Sequence, residues 1–71
     1  MASRPRYHYD IDYRTPDGVL KMAQTLSYFA KMDATIEKDE LVENLQKAGC
    51  TDIKPYLREV RVYWPYTQIG E

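Results

Sequence analysis

Leu57-Arg58-Glu59-Val60-Arg61-Val62-Tyr63-Trp64 is the stretch whose conformation decides the architecture. With period two, Arg58, Val60, Val62 and Trp64 alternate with Glu59, Arg61 and Tyr63. Val-Arg-Val-Tyr-Trp is rich in β-branched and aromatic side chains, which favour a pleated surface and lose rotamer freedom in a helix. A helix is the rival. Thr51 or Asp52 would cap it, Pro55 would be tolerated in its first turn, and Ile53, Leu57, Val60 and Trp64 would form its stripe. The strand is preferred, because it supplies a partner for a second strand at the other end of the chain.

That second strand is Tyr7-His8-Tyr9-Asp10-Ile11-Asp12-Tyr13. Tyr7, Tyr9, Ile11 and Tyr13 fall on one side, and His8, Asp10 and Asp12 on the other. Strict alternation of this kind marks a half-buried strand. Six of the seven tyrosines and the single tryptophan lie outside residues 17–49. The aromatic residues therefore gather on the two end segments, and the middle reads as helix.

Thr15-Pro16-Asp17-Gly18 suits either a turn or a helix start. The helix start is favoured, with Thr15 as N-cap and Pro16 at the first helical position. An apolar stripe follows at once: Val19, Met22, Ala23, Leu26, Phe29 and Ala30. Asp33-Ala34-Thr35 would break this helix. A second is expected from about Ile36 to Ala48, with Ile36, Leu41, Val42, Leu45 and Ala48 as its stripe. Glu37, Asp39 and Glu40 suit its first turn and Lys47 its last. Gly49 suits the left-handed residue that closes it. The expected fold is a single small α+β domain over residues 1–71, ordered β-α-α-β. Its two terminal strands pair antiparallel against a helical pair. The alternative is a strand plus three helices, resembling a helix-turn-helix. Residues 1–5 and 67–71 read as loose arms, with Tyr66 and Ile69 as anchors within the tail. Cross-strand contacts of His8, Asp10 and Asp12 with Glu59 and Arg61 would support the pairing.

A chain of 71 residues has a marginal core and usually leans on a staple. Cys50 is the single cysteine, so no disulfide forms within the chain. One cysteine, one histidine and no ligand spacing give no expectation of a metal or cofactor. A partner chain remains as the staple, and the open edges of a two-stranded sheet point to the same need. That partner is another protein or a second copy in a homodimer. Met1-Ala2-Ser3-Arg4-Pro5-Arg6 has no apolar leader core, and no apolar run approaches the length of a membrane span. A cytoplasmic protein is expected, without membrane contact.

Catalytic chemistry finds little support. His8 lies on the polar side of a strand, and Cys50 follows a helix C-terminus, outside any recognisable nucleophile motif. Asp10 and Asp12 share a strand face, but acid–base work needs a pocket that separates their pKa values. No catalytic residue and no small-molecule substrate are expected. The Ile-x-x-x-Glu-Leu run at Ile36–Leu41 resembles the end of a calcium loop. The positions that should carry ligands and glycine hold Phe29, Lys31 and Ala34, so calcium binding is rejected.

The expected function is non-enzymatic: a small intracellular module that binds a protein. Size and plainness extend this to an adaptor or an inhibitor of a larger partner, virus-encoded inhibitors among them. Tyr63, Trp64, Tyr66 and Arg61 combine the residue types that dominate interface hot spots. Tyr9, Asp10 and Asp12 are assigned to the same contact surface. The alternative is a small transcriptional regulator of helix-turn-helix or ribbon-helix-helix type. Arg4, Arg6, Lys54, Arg58 and Arg61 would then contact nucleic acid. Net charge is −1, without the basic excess typical of that class.

Overall fold

The computed structural model describes residues 2–64, and the side chains of residues 4–61. The order is β1 (Ala2–Arg14), β2 (Leu20–Gln24), α1 (Lys31–Lys47) and β3 (Thr51–Trp64). One antiparallel sheet has the order β2-β1-β3, and α1, the single helix among the described residues, connects its two outer strands. The terminal strands do pair antiparallel, from Ala2 opposite Trp64 to Asp12 opposite Lys54. Ala2–Pro5, expected as a loose arm, face Arg61–Trp64 in this ladder. Residues 51–64 are strand, so the three-helix alternative fails.

The expected first helix is a hairpin instead. Gly18 N–H donates to Thr15 O at 2.8 Å, and Thr15 N–H donates to Val19 O at 2.8 Å. The Thr15 hydroxyl also accepts from Val19 N–H at 3.1 Å, and Arg14 Nη1 donates to Gly18 O at 2.8 Å. Gly18 has φ +88°, a conformation that glycine adopts without steric cost. Pro16-Asp17-Gly18 thus makes a three-residue hairpin loop with glycine in the left-handed position. Turn chemistry overrides the helical stripe for a plain reason. The side of β1 facing away from β3 carries backbone donors and acceptors that need partners, and residues 20–28 supply them. The supposed core residues Val19, Met22, Leu26 and Phe29 are all exposed.

β2 ends at a buried threonine. Thr25 N–H donates to Tyr9 O at 3.0 Å, while Tyr9 N–H donates to the Thr25 hydroxyl at 2.9 Å rather than to a carbonyl. The ladder resumes at Tyr7 and Tyr28, which exchange backbone hydrogen bonds of 2.6 and 2.8 Å.

The helix starts at Lys31 and runs through Asp33-Ala34-Thr35 without a break. Ala34 is fully buried at the sheet, and Thr35 Oγ1 lies 3.2 Å from the Tyr9 hydroxyl, so tertiary contact holds the weak first turn. The inward side is Ala34, Lys38, Leu41, Val42 and Leu45, at spacings of three, four and one. Ile36 and Ala48, expected on that stripe, are exposed. The helix closes as expected from Gly49, at φ +86°. Gly49 N–H reaches Gln46 O and Cys50 N–H reaches Leu45 O, each at 3.0 Å, which is the Schellman arrangement.

Packing is thin. Ile11 and Ala34 are the buried hydrophobic residues among those described. The radius of gyration is 15.3 Å, with extents of 47 × 24 × 13 Å. A compact chain of this length would have a radius of about 11 Å.

Candidate functional site: the open face of the sheet

Successive residues of a strand point to opposite sides of the sheet. Tyr7, Tyr9, Ile11 and Tyr13 take the helix side. Tyr9 bonds Thr35 and sits under the Lys38 ammonium, 5.4 Å from the ring centre, while Lys31 lies 5.7 Å over Tyr7. The other side of β1 presents Arg4, Arg6, His8, Asp10 and Asp12, and no described element covers it.

Register brings β2 and β3 to this open face. Gln24 lies opposite Asp10, Met22 opposite Asp12 and Leu20 opposite Arg14. On the other flank His8 faces Arg58, Asp10 faces Tyr56, Asp12 faces Lys54 and Arg6 faces Val60. The charges expected opposite His8, Asp10 and Asp12 were Glu59 and Arg61. Those two occupy the helix side, opposite Tyr7 and Pro5. The pairing was right and the parity was not, because alternation alone does not say which β3 residue meets which β1 residue. A bulge sets the remaining register. Asp12 faces Lys54 whereas Arg14 faces Thr51, with Asp52 at φ +53° between them. Aspartate tolerates that left-handed geometry better than most residues.

Asp10 holds the three strands together. Its Oδ1 accepts from Gln24 Nε2 of β2 at 2.8 Å, and its Oδ2 accepts from Arg58 Nε of β3 at 3.0 Å. His8 Nε2 lies 3.3 Å from Oδ1. The Arg58 hydrogen bond holds the Asp10 carboxyl below its usual range, with further lowering by Gln24 and the charges of His8 and Arg58, against an opposing effect of burial. A depressed carboxylate pKa stabilises the fold above the unfolded value of 3.8 and loses that contribution as pH falls through the folded value. Asp10→Asn is therefore expected to lower stability at neutral pH by about 1 kcal/mol, as for a partly exposed pair. The gap between variant and wild-type melting temperatures should close as pH is lowered below 3.8. An unchanged gap at acid pH would show that the carboxylate charge is not what Arg58 and Gln24 hold.

Around this clamp lie aromatic and cationic side chains. The Arg4 and Arg6 guanidiniums stack over Phe29 at 4.1 and 4.7 Å from its centroid, and Arg58 lies 5.8 Å over Tyr56. Arg6 Nε is buried with no hydrogen-bond partner among the described residues, its charge balanced by the Phe29 ring instead. Leu20 (68% exposed), Met22 (57%), Phe29 (43%), Tyr56 (43%) and Val60 (53%) add apolar surface. Arg4, Arg6, Lys54 and Arg58 outnumber Asp10 and Asp12, so this face is basic although the chain is not. The helix is the reverse: five acids against three bases over residues 31–47.

The assigned residues therefore separate. Asp10, Asp12, Arg4, Arg6, Lys54 and Arg58 share the open face. Tyr9 is half-buried under α1, and Arg61 lies near the other end of β3 with Nη2 3.5 Å from Glu59 Oε2. Tyr63 and Trp64 continue β3 in backbone, and their side chains lie outside the described ones, as does Tyr66 altogether. Phe29, Leu20 and Met22 escaped the sequence reading because they were placed on a helix. The Pro-Asp-Gly turn was the signal that could have recovered them.

A groove of about 410 Å³ opens elsewhere, between the chain after β2 and the start of α1, lined by Leu26, Tyr28, Asp33, Ile36, Glu37 and Glu40. Glu37 Oε1 accepts from Leu26 N–H at 3.1 Å and from the Tyr28 hydroxyl at 2.6 Å. That hydrogen bond to Glu37 raises the Tyr28 pKa. Cys50 is a half-buried free thiol. Among the described residues no group of three or more His, Cys, Asp or Glu side chains could hold a metal, and no helix is long and apolar enough to cross a membrane. Comparison with protein-family models, with curated proteins and with solved structures finds no match.

Proposed function

We propose that this chain is a non-enzymatic protein-binding module that docks its partner on the open face of the sheet. One observation carries the reading: a three-stranded sheet with a helix on one side leaves apolar and arginine side chains exposed together on the other. Protein interfaces favour this mixture, with aromatic, Met and Arg residues enriched and a polar rim around them. The thin core points the same way, since a partner would bury what the chain leaves open. The basic open face favours a partner whose contact surface is acidic.

A second reading has its own support. Arginines stacked on Phe29 and Tyr56 form the kind of cationic, planar platform on which single-stranded nucleic acid binds. One experiment separates the two. Tagged full-length chain is used to recover partners from its native lysate, with and without nuclease. The protein-binding reading expects a nuclease-resistant stoichiometric protein band. Phe29→Ala combined with Tyr56→Ala should remove that band while leaving the chain folded, since neither side chain belongs to the buried core. A band that vanishes with nuclease would put the nucleic-acid reading first. A band that survives both the nuclease and the double substitution would move the contact off this face.

A further inference from the structure

We infer that β2 pairs antiparallel with β2 of a second copy, about a twofold axis at Met22. This pairing is independent of whatever the open face binds.

The free stretch of backbone on β2 is short and bounded at both ends. Thr15 N–H donates to Val19 O, and Thr25 N–H donates to Tyr9 O. In an antiparallel ladder alternate residues bond to alternate neighbours, so Val19, Lys21, Ala23 and Thr25 turn their backbone groups to β1. Leu20, Met22 and Gln24 therefore turn theirs outward, on an outer strand of the sheet. The hairpin closes one end, where Gly18 N–H donates to Thr15 O and Gly18 O accepts from Arg14 Nη1. Leu26, the next residue of outward parity, closes the other. Its N–H is taken by Glu37 Oε1 at 3.1 Å and its O by the Thr25 hydroxyl at 2.8 Å. Between them the N–H and C=O groups of Leu20, Met22 and Gln24 have no partner among the described residues. The helix packs over β1 and β3, not over β2. Trp64 pairs with Ala2, whereas β2 pairs with Asp10–Arg14 at the other end of the sheet. Residues 65–71 can span about 25 Å at most. The β2 edge begins about 26 Å along β1 from Ala2 and two strand spacings across, beyond that reach. An edge left open in this way is a template for another strand.

Symmetry then selects the occupant and the register. Three outward residues in a row complement themselves when a twofold axis passes through the middle one. With the axis at Met22, Met22 pairs with its counterpart, and Leu20 pairs with Gln24 of the second copy in both directions. Every free group on both edges is then bonded, and no hydrogen bond of the single chain is given up. An axis at Lys21 sets two lysines face to face and Gln24 against the closed turn at Gly18. An axis at Ala23 sets Leu20 against Leu26, whose N–H Glu37 already holds. Axes at Leu20 or Gln24 set Met22 against those same closed positions. Axes between residues set outward groups against groups already turned to β1. In the Met22 register Lys21 lies opposite Ala23 on the helix side, so like charges are nowhere opposed. On the open face Leu20 and Met22, exposed in the single chain, meet those of the second copy as one apolar band. The product is a six-stranded sheet with both helices on one side and a continuous open face on the other.

Sedimentation of the full chain should show a monomer–dimer equilibrium with a Kd on the order of 10–100 µM, as for a small interface. Met22→Pro removes the donor at the centre of the paired edge and leaves the β1–β2 hydrogen bonds intact, because Met22 N–H faces away from β1. It should weaken the dimer about tenfold or more while keeping the wild-type circular dichroism spectrum. Cysteine cross-linking reads the register without a proline. Across the axis Met22 forms a hydrogen-bonded pair, with Cα atoms about 5.5 Å apart, within disulfide range. Met22→Cys should therefore link two chains on mild oxidation, beyond the level shown by the wild type with Cys50 alone. Leu20→Cys should not, because its counterpart lies four residues along the strand, about 13 Å away. A wild type that stays monomeric at ten times that Kd would overturn the inference and leave the edge to a strand of another protein. A Met22→Pro chain that dimerises as tightly as the wild type, or a Leu20→Cys chain that cross-links as readily as Met22→Cys, would overturn it as well.

Discussion

Ile11→Ala is expected to lower the melting temperature by roughly 10–25 °C, from a loss of about 2–5 kcal/mol for a large core side chain cut to alanine. Ile11 is the largest fully buried side chain among the described residues, on the helix side of the central strand. Among the described residues no other large apolar side chain is buried well enough to take over its contacts, and Ala34, the other buried hydrophobic residue there, is already minimal. A domain of this length has about 4–10 kcal/mol in total. One methyl-rich side chain thus holds a large fraction of it. Ile36→Ala is the control. Both isoleucines looked like core in the sequence, yet Ile36 is 53% exposed, and its removal should change stability by about 0.5 kcal/mol or less. Equal losses at the two positions, measured by thermal melts followed by circular dichroism, would show that the core is not centred on Ile11.

Val60→Pro is expected to lower the melting temperature about as far as Ile11→Ala, whereas Glu59→Pro one residue earlier should lower it far less. Val60 N–H points to Arg6 of the central strand, and proline removes that donor and crowds the carbonyl it served. The cost is about 3 kcal/mol, a ladder bond lost together with an acceptor left unpaired. Because Tyr7 bonds to Tyr28, Glu59 opposite it directs its N–H away from β1, and proline there removes no hydrogen bond from the β1–β3 ladder. A Val60→Pro variant that melts like the wild type would refute the β1–β3 ladder. Equal losses from both prolines would show that strand parity is not as the Tyr7 and Tyr9 hydrogen bonds imply.

Much of this fold was legible in the residues because it rests on local physics. Alternation over Tyr7–Tyr13 and the β-branched run at Val60–Val62 are properties of a few neighbours, and both segments are strands. Gly49 closes the helix in the left-handed conformation because few other residues do so cheaply. The antiparallel union of the two end strands followed from each needing a ladder partner.

The open face was only half legible. Its β1 residues were identified, but Phe29, Met22 and Leu20 reach it only because residues 15–24 form a hairpin. There the sequence held two local signals in conflict, a Pro-Asp-Gly turn and a helical apolar stripe. The unpaired side of β1 decided between them, and a pairing across strands is not contained in either segment alone. Helix α1 likewise begins at Lys31, through a stretch read as a break, because Ala34 and Thr35 gain contacts on β1 that no local propensity reports. The parity of β3 was open for the same reason. Alternation establishes that two faces exist; the register with β1 places Arg58 beside Asp10 and Glu59 on the other side. By itself the sequence determined that the two end segments extend and where the helix ends. Tertiary structure alone decided which backbone groups pair, and therefore which side chains share the face left open.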